Sequence, residues 1–266
     1  MSHRKIAIVT GASSGIGAEI ARHLPNVRDL EIWLVARRRE RLSSLAESLR
    51  ARGAAVEVLA LDLQDPGSWA ELENRVRARG APVGWLINNA GIGYSGRFEE
   101  QSVESIVALT QLNINALVVA TRRLVPFMER GSRIVNVASG FAYFPVPGHA
   151  IYAATKAFVL SFSLALREEL SPRGISVTAV CPGPVVTEFW ESVGADAPPS
   201  FLTERAERTA QIALEQAARG RAVVFTGALS RMASVLSALL PRTLMAAMIN
   251  AQIQRLARKS QAQAAG

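Results

Sequence analysis

Short, continuously apolar runs at 5–10, 31–36, 55–61, 84–88, 132–138, 175–181 and 222–226 alternate with longer stretches of helical periodicity. The helical stretches fall near 15–24, 38–52, 66–79, 103–128, 152–171 and 203–219. A strand that is apolar at nearly every position, not at every second one, is covered on both faces. Strand and helix alternating in this way require a parallel sheet with helices on both sides, and right-handed crossovers make that sheet doubly wound. The expected fold is therefore α/β, a doubly wound parallel sheet of seven strands. The 266 residues suit one large domain with a well-buried core. Residues 228–266 read as a basic, apolar helical C-terminal extension of that domain.

Composition narrows the function classes. Hydrophobic residues make up 49% and charged residues 20%, the balance of a globular protein. The single cysteine, Cys181, excludes an internal disulfide and fits a cytoplasmic location. The apolar run near the N-terminus is too short for a signal peptide, and no uncharged apolar stretch reaches the roughly 18 residues of a membrane span. The net charge of +8 raises nucleic acid as a partner. The excess is mostly C-terminal, however. No Asp or Glu follows Glu215, while Arg219, Arg221, Arg231, Arg242, Arg255, Arg258 and Lys259 do. No helix carries the basic face that DNA reading needs, so nucleic acid is not expected.

The first strand runs directly into "TGASSGIG". Glycine at a tight turn allows positive φ, and a missing Cβ lets a phosphate approach the backbone. The helix N-terminus that follows offers free N–H groups and partial positive charge. Gly11, Gly15 and Gly17 are the informative positions. Their G-x-x-x-G-x-G spacing marks a dinucleotide site only in a strand–turn–helix context, which is present. After the second strand an NAD site usually carries a carboxylate for the ribose 2′-hydroxyl. Here Arg37, Arg38 and Arg39 follow Ala36, and a guanidinium can bind a 2′-phosphate in a fork. Arg37 is the first choice for that contact and Arg38 the second; surface arginines at a helix start are the alternative. Asp62 is placed to accept from the adenine amino group. Asp65 reads as the N-cap of the helix that begins at Pro66.

Tyr152 and Lys156 lie four apart on one face of an apolar helix, in a chain with three lysines and twenty-seven arginines. A free tyrosine deprotonates near pH 10, and an adjacent ammonium stabilises the phenolate. Lowering the pKa by about three units needs roughly 4 kcal/mol of differential interaction. An ammonium is also compact enough to donate to ribose hydroxyls, where a guanidinium is broad and planar. Ser139, near the C-terminal end of the fifth strand, sits on the sheet edge where ligands bind in open α/β folds. Asn113 is polar within an apolar helix interior, and Asn115 competes for the same role.

This ordered set, "TGASSGIG", "NNAG" at 88–91, Asn113, Ser139, "YAATK" and "CPGPVVT" at 181–187, resembles the short-chain dehydrogenase/reductase family over residues 5–226. The resemblance implies a Rossmann sheet of order 3-2-1-4-5-6-7 and nicotinamide-dependent hydride transfer. By that analogy Asn113, Ser139, Tyr152 and Lys156 form a catalytic tetrad, with Asn113 holding a proton-relaying water. The spacing from Asn113 to Met128 matches the family better than that from Asn115. The implied cofactor is NADP(H). Its binding residues would be Gly11, Ser13, Ser14, Gly15, Ile16, Gly17, Arg37, Arg38, Asp62, Leu63, Asn89, Ala90, Gly91, Tyr152, Lys156, Pro182, Gly183, Val185 and Thr187. Pro182, Gly183 and Thr187 would fix the nicotinamide and its carboxamide. One departure is 24–33, which is longer than the family's usual link into the second strand. No metal is implied, since His3, His23 and His149 are too scattered to form a site.

Substrate choice should reside in 141–149 and 185–201. Phe141, Tyr143, Phe144, His149, Phe189, Trp190 and Phe201 are candidate pocket residues, or ordinary packing beneath a lid at 194–199. The expected partner is a fairly apolar small-molecule carbonyl or alcohol. The helix at 152–170 is apolar nearly all round, which points to a homo-oligomer, dimer or tetramer, with 103–128 alongside. The tail has apolar residues at helical spacing, basic residues and no acid. That pattern suits docking over the pocket or on a subunit, or peripheral contact with an anionic membrane.

Overall fold

The computed structural model describes residues 4–24, 29–192 and 203–264. Its first half alternates β1 (Lys5–Thr10), α1 (Gly15–His23), β2 (Leu30–Ala36), α2 (Arg39–Arg50), β3 (Ala55–Ala60), α3 (Pro66–Arg79) and β4 (Val83–Asn88). The second half contains α4 (Val103–Thr110), a π-helical segment Gln111–Ala116, α5 (Leu117–Leu124), β5 (Arg133–Val137), α6 (Ala150–Leu170) and β6 (Ser176–Cys181). The chain continues through β7 (Val185–Val186), α7 (Phe189–Ser192), β8 (Glu204–Arg205), α8 (Ala206–Ala218) and β9 (Val223–Phe225). It ends in α9 (Ala228–Leu239) and α10 (Arg242–Ala264).

Seven strands form one parallel sheet in the order β3-β2-β1-β4-β5-β6-β9. That is the expected order, with β9 as the seventh strand. The short β7–β8 pair between β6 and β9 forms a separate sheet that the sequence reading did not separate from its surroundings. Alternation along β1 shows why the strands read as continuous apolar runs. Ala7 and Val9 join a core with Ile20 of α1, Leu42 and Leu45 of α2, and Leu214 of α8. Ile6 and Ile8 join the opposite core with Trp69 and Leu72 of α3, Leu124 of α5 and Leu170. β1 is thus buried from two sides. The order reverses at β1, whose neighbours are β2 and β4, and this opens a crevice beyond the strands' C-terminal ends.

Local signals set the element ends. Asp65 caps α3 by accepting from Gly67 N at 3.0 Å, Pro66 opens the helix, and Gly80 closes it at φ 66°. The stretch expected as one helix over 103–128 is divided by the π-helical turn. Such turns recur at functional positions, because an added residue re-aims the side chains that follow. The stretch 103–127 and the stretch 150–173 are both long and apolar enough to cross a membrane by length and composition. Their Leu112, Leu124 and Leu170 are nonetheless packed in the core beneath the sheet.

A polar network crosses the sheet centre. Asn88 donates to Asn136 Oδ1 at 2.8 Å and to Thr121 Oγ1 at 3.1 Å, and Asn136 donates to Ser163 Oγ at 2.9 Å. All four side chains are buried. Each is satisfied within the group or by a helix carbonyl, so the network fixes α5 and α6 against β4 and β5 without an unpaired cost.

Candidate active site

The crevice holds a cavity of about 440 Å³. One end is lined by the turn after β1, by Arg37 and Arg38 after β2, and by Asp62 and Leu63 after β3. Asn89, Ala90 and Gly91 after β4 form the middle, with Pro182, Gly183, Val185 and Thr187 opposite. The inner end is lined by Ser139, Phe141, His149, Tyr152 and Lys156, and is closed by Phe189, Trp190 and the α9 residues Leu229, Ser230 and Ala233.

The glycine turn owes its shape to close backbone approach. Gly11 and Gly15 have φ of 66° and 56°. A methyl on Gly17 would come within 2.4 Å of both Asn89 Nδ2 and the Gly11 carbonyl oxygen. Gly17 is therefore not a wall of the cavity, as expected from sequence, but the buried residue that lets α1 approach the turn. Thr10 organises the same region. Its hydroxyl accepts from Asn89 N at 2.9 Å and Ala90 N at 3.1 Å and donates to the Ile87 carbonyl. Asn89 Nδ2 returns to the Thr10 carbonyl at 3.0 Å. Ser13, Ser14, Gly15 and Ile16 line the cavity here, and the N-terminus of α1 faces it.

The two arginines differ. Arg38 donates to Ser13 Oγ at 3.2 and 3.1 Å, to Ser14 Oγ at 2.8 Å, and to Glu188 at 2.9 Å. Arg41 also pairs with Glu188, and these two arginines hold its carboxyl below the usual range. Arg38, the sequence's second choice, thus has its guanidinium fixed over the glycine turn. Glu188 and Arg41 were missed, because their partners lie nearly 150 positions away in sequence and no local motif links them.

At the inner end, the Ser139 hydroxyl is within hydrogen-bonding reach of the Tyr152 phenol and also accepts from Phe141 N at 3.2 Å. Lys156 is buried; its Nζ lies 5.7 Å from the Tyr152 ring centre and donates to the Val137 carbonyl at 2.9 Å. Burial pushes the Tyr152 phenol up to about 12, against the opposing Ser139 hydrogen bond. Burial likewise brings the Lys156 ammonium down to about 8. Burial outweighs the Ser139 hydrogen bond, so the phenol is raised where the sequence predicts that the neighbouring ammonium lowers it, and at neutral pH it holds its proton.

Asn113 lies behind this cluster, not on the cavity wall. Its Oδ1 accepts from Ile92 N at 2.9 Å, and its Nδ2 donates to the Ile92 carbonyl at 2.9 Å and to Thr155 Oγ1 at 3.2 Å. The side chain is thereby committed to pinning the strand-end segment after β4 against α6. Asn115 bonds Gln111 within its own helix. Gly91 separates Asn113 from the cavity, since a methyl there would stand 3.1 Å from Asn113 Oδ1 and 3.6 Å from Lys156 Nζ.

The aromatic candidates divide. Phe141 packs on His149 and Tyr152, and Phe189 packs on Tyr152 at 5.5 Å between centres. Trp190 anchors this wall by donating to the Val185 carbonyl at 2.8 Å. His149 Nδ1 donates to the Tyr94 carbonyl at 3.0 Å, and burial lowers its pKa. Tyr143 does not reach the cavity, contrary to expectation. It packs on Phe225 in the core beneath β9, where burial raises its phenol and Cys181 is its neighbour. Phe201 and the proposed lid at 194–199 lie outside the described residues. Another residue missed from sequence is Glu204, which accepts from Gly183 N at 2.8 Å, from Thr209 at 3.2 Å and from Thr226. It ties the turn after β6 to α8 and β9.

Known proteins resemble this chain in sequence and fold. A short-chain dehydrogenase from Sphingobium yanoikuyae, solved in complex with NADPH, is 37% identical with a TM-score of 0.77, covering 91% of this chain and 95% of that one. The bulky-bulky ketone specific alcohol dehydrogenase from Comamonas testosteroni is 34% identical with a TM-score of 0.73, covering 83% of this chain and 85% of that one. Among curated proteins, the ketoacyl reductase HetN of Nostoc is 34% identical over 181 residues, 67% of this chain and 63% of its own length. The sequence pattern described as short chain dehydrogenase matches residues 5–198, from β1 through the glycine turn, Ser139, Tyr152 and Lys156 to the turn after β6. A doubly wound sheet of this order, with that turn and that hydroxyl–ammonium cluster at its C-terminal edge, is an oxidoreductase scaffold, and the chain belongs to the short chain dehydrogenase family.

Proposed function

We propose that this chain is an NADP(H)-dependent oxidoreductase that interconverts a carbonyl and a secondary alcohol on a fairly apolar small molecule. One observation carries the reading. A single cavity joins a glycine turn and two arginines at one end to Ser139, Tyr152 and Lys156 at the other. The cofactor fits the residues present. Gly11 and Gly15 leave the turn open to a pyrophosphate, and the α1 N-terminus offers donors and partial positive charge. Arg38, with Arg37 beside it, offers guanidinium donors for a 2′-phosphate, and no carboxylate follows β2 at 37–39 to repel one. Asp62 and Leu63 would border the adenine. Pro182, Gly183, Val185 and Thr187 would hold the nicotinamide beside Tyr152.

When bound, the nicotinamide supplies or accepts the hydride. The protein's own groups manage the proton and the oxygen. In reduction Tyr152 donates its phenolic proton to the carbonyl oxygen, and Ser139 donates a hydrogen bond to that same oxygen as negative charge develops. Lys156 places positive charge beside the phenol and so favours its transient phenolate. Asn113 acts through position, by holding the segment after β4 and Thr155 of α6. Phe141, Phe189 and Trp190 supply an apolar wall and exclude water from the reacting end.

The exposed apolar residues Val103 and Val107 of α4, with Phe158 and Leu164 of α6, support a homo-oligomer joined along these two helices. A mass equal to one chain by light scattering would refute it. The enzymatic reading is tested by a carbonyl and alcohol panel followed through the absorbance of the reduced nicotinamide. Consumption of NADPH by at least one apolar ketone or aldehyde is expected. Tight NADPH binding with no turnover across the panel would favour a nucleotide-binding protein on the same scaffold.

A further inference from the structure

Helix α9 has two working faces. Leu229, Ser230 and Ala233 line the inner end of the cavity. Ser230 is buried, and a methyl added to Gly140 would stand 3.1 Å from its Cβ, so α9 is seated closely on the segment after β5. Met232, Val235, Leu236 and Leu239 recur at i, i+3, i+4 and i+7 on a different face. Met232 is 54% exposed, Val235 55% and Leu239 73%. Helix α10 adds exposed Leu244, Met248 and Ile253.

Charge decides what this surface fits. Arg231, Arg242 and Arg255 are exposed among these apolar residues, and the sequence has no carboxylate side chain after Glu215 to neutralise them. A second copy of the same face would set arginine against arginine with no acid between. An anionic bilayer supplies both things the face lacks, an apolar phase for the stripe and negative headgroups for the guanidinium groups.

We propose that α9 and α10 form a docking face for an anionic membrane, which brings the substrate end of the cavity to the lipid surface. Because the inner face of α9 is a wall of that cavity, docking through its outer face sets the substrate end close to the acyl layer, where an apolar carbonyl or alcohol concentrates. The docking stands apart from the oxidoreductase reading; the substrate route rests on it.

The test is flotation of the full chain with vesicles of phosphatidylcholine alone and of phosphatidylcholine with phosphatidylglycerol. The chain should float with the anionic vesicles, remain below the neutral ones, and be released by high salt. A Met232→Glu/Leu239→Glu variant should float about tenfold less and should keep wild-type turnover of a water-soluble carbonyl. An Arg242→Glu/Arg255→Glu variant, altered only at exposed positions, gives the same readout should the first fail to fold. Three results would overturn the proposal: no flotation with anionic vesicles, equal flotation of the variants, or a wild-type oligomer that the first variant splits into smaller particles. Flotation without turnover of any carbonyl would leave the docking intact and remove only the substrate route.

Discussion

Replacing Glu188 with glutamine should tighten NADPH binding while leaving NADH binding nearly unchanged. Glu188 pairs with Arg38 at 2.9 Å and with Arg41, and so holds the guanidinium proposed to receive a 2′-phosphate. These side chains are all more than 40% exposed, which puts each pair in the weak regime of about 0.2–1 kcal/mol. A phosphate arriving at Arg38 must displace the carboxylate from that pair and also bears the repulsion of an adjacent like charge of similar size. The two effects together amount to about 0.4–2 kcal/mol, or about two- to thirtyfold in Kd. Glutamine keeps the shape and removes the charge. Titration of intrinsic fluorescence with NADPH and NADH, at low and at moderate salt, measures the change. The gain for NADPH should shrink as salt rises, because the pairs are exposed. Weaker NADPH binding in the variant would mean that Glu188 organises Arg38 for the phosphate instead of competing with it. Equal tightening for NADH would place the 2′-phosphate elsewhere.

Gly17→Ala should raise the NADPH Kd about tenfold or more and lower Tm, because its methyl would strike the Gly11 carbonyl and Asn89 and force the turn to shift at a cost of about 1–3 kcal/mol. Asn136→Ala should leave Asn88 and Ser163 short of a buried partner, a loss of about 1–3 kcal/mol, and lower the thermal midpoint by roughly 2–12 °C in calorimetry. With only three lysines, carbon-13 labelling of lysine side chains should resolve one that titrates near pH 8, and Lys156→Met should remove that signal. Its ordinary value is 10.5, so between about 8 and 10.5 the unfolded chain holds the proton that the folded chain has released. The contribution of this group to stability therefore rises with pH across that window.

Much of the architecture was legible because burial on two sides writes itself into a strand at every position. The runs around Ile6–Val9 and Ile134–Val137 could be read without any partner in view, and their alternation with helices set the sheet. The glycine turn was legible for a similar reason: Gly11 and Gly17 are required by backbone contacts within a few residues of one motif and Asn89. What depended on side-chain direction was not legible. Tyr143 sits among pocket residues in sequence but turns beneath β9. Asn113 stands out as a polar residue in an apolar helix, yet its amide is spent on Ile92 and Thr155. Glu188 and Glu204 act on partners across the fold, and no periodicity records such pairs. The sequence also placed Lys156 beside Tyr152 without showing that burial, not the ammonium, dominates the phenol.

The central claim is that the Tyr152 phenol delivers the proton as hydride is transferred. Tyr152→Phe removes that hydroxyl and keeps the ring that packs on Phe141 and Phe189. Single-turnover oxidation of bound NADPH by a ketone should slow by about 10²–10⁴-fold, with the NADPH Kd and Tm nearly unchanged. An unaltered single-turnover rate in a folded, NADPH-binding variant would contradict the account.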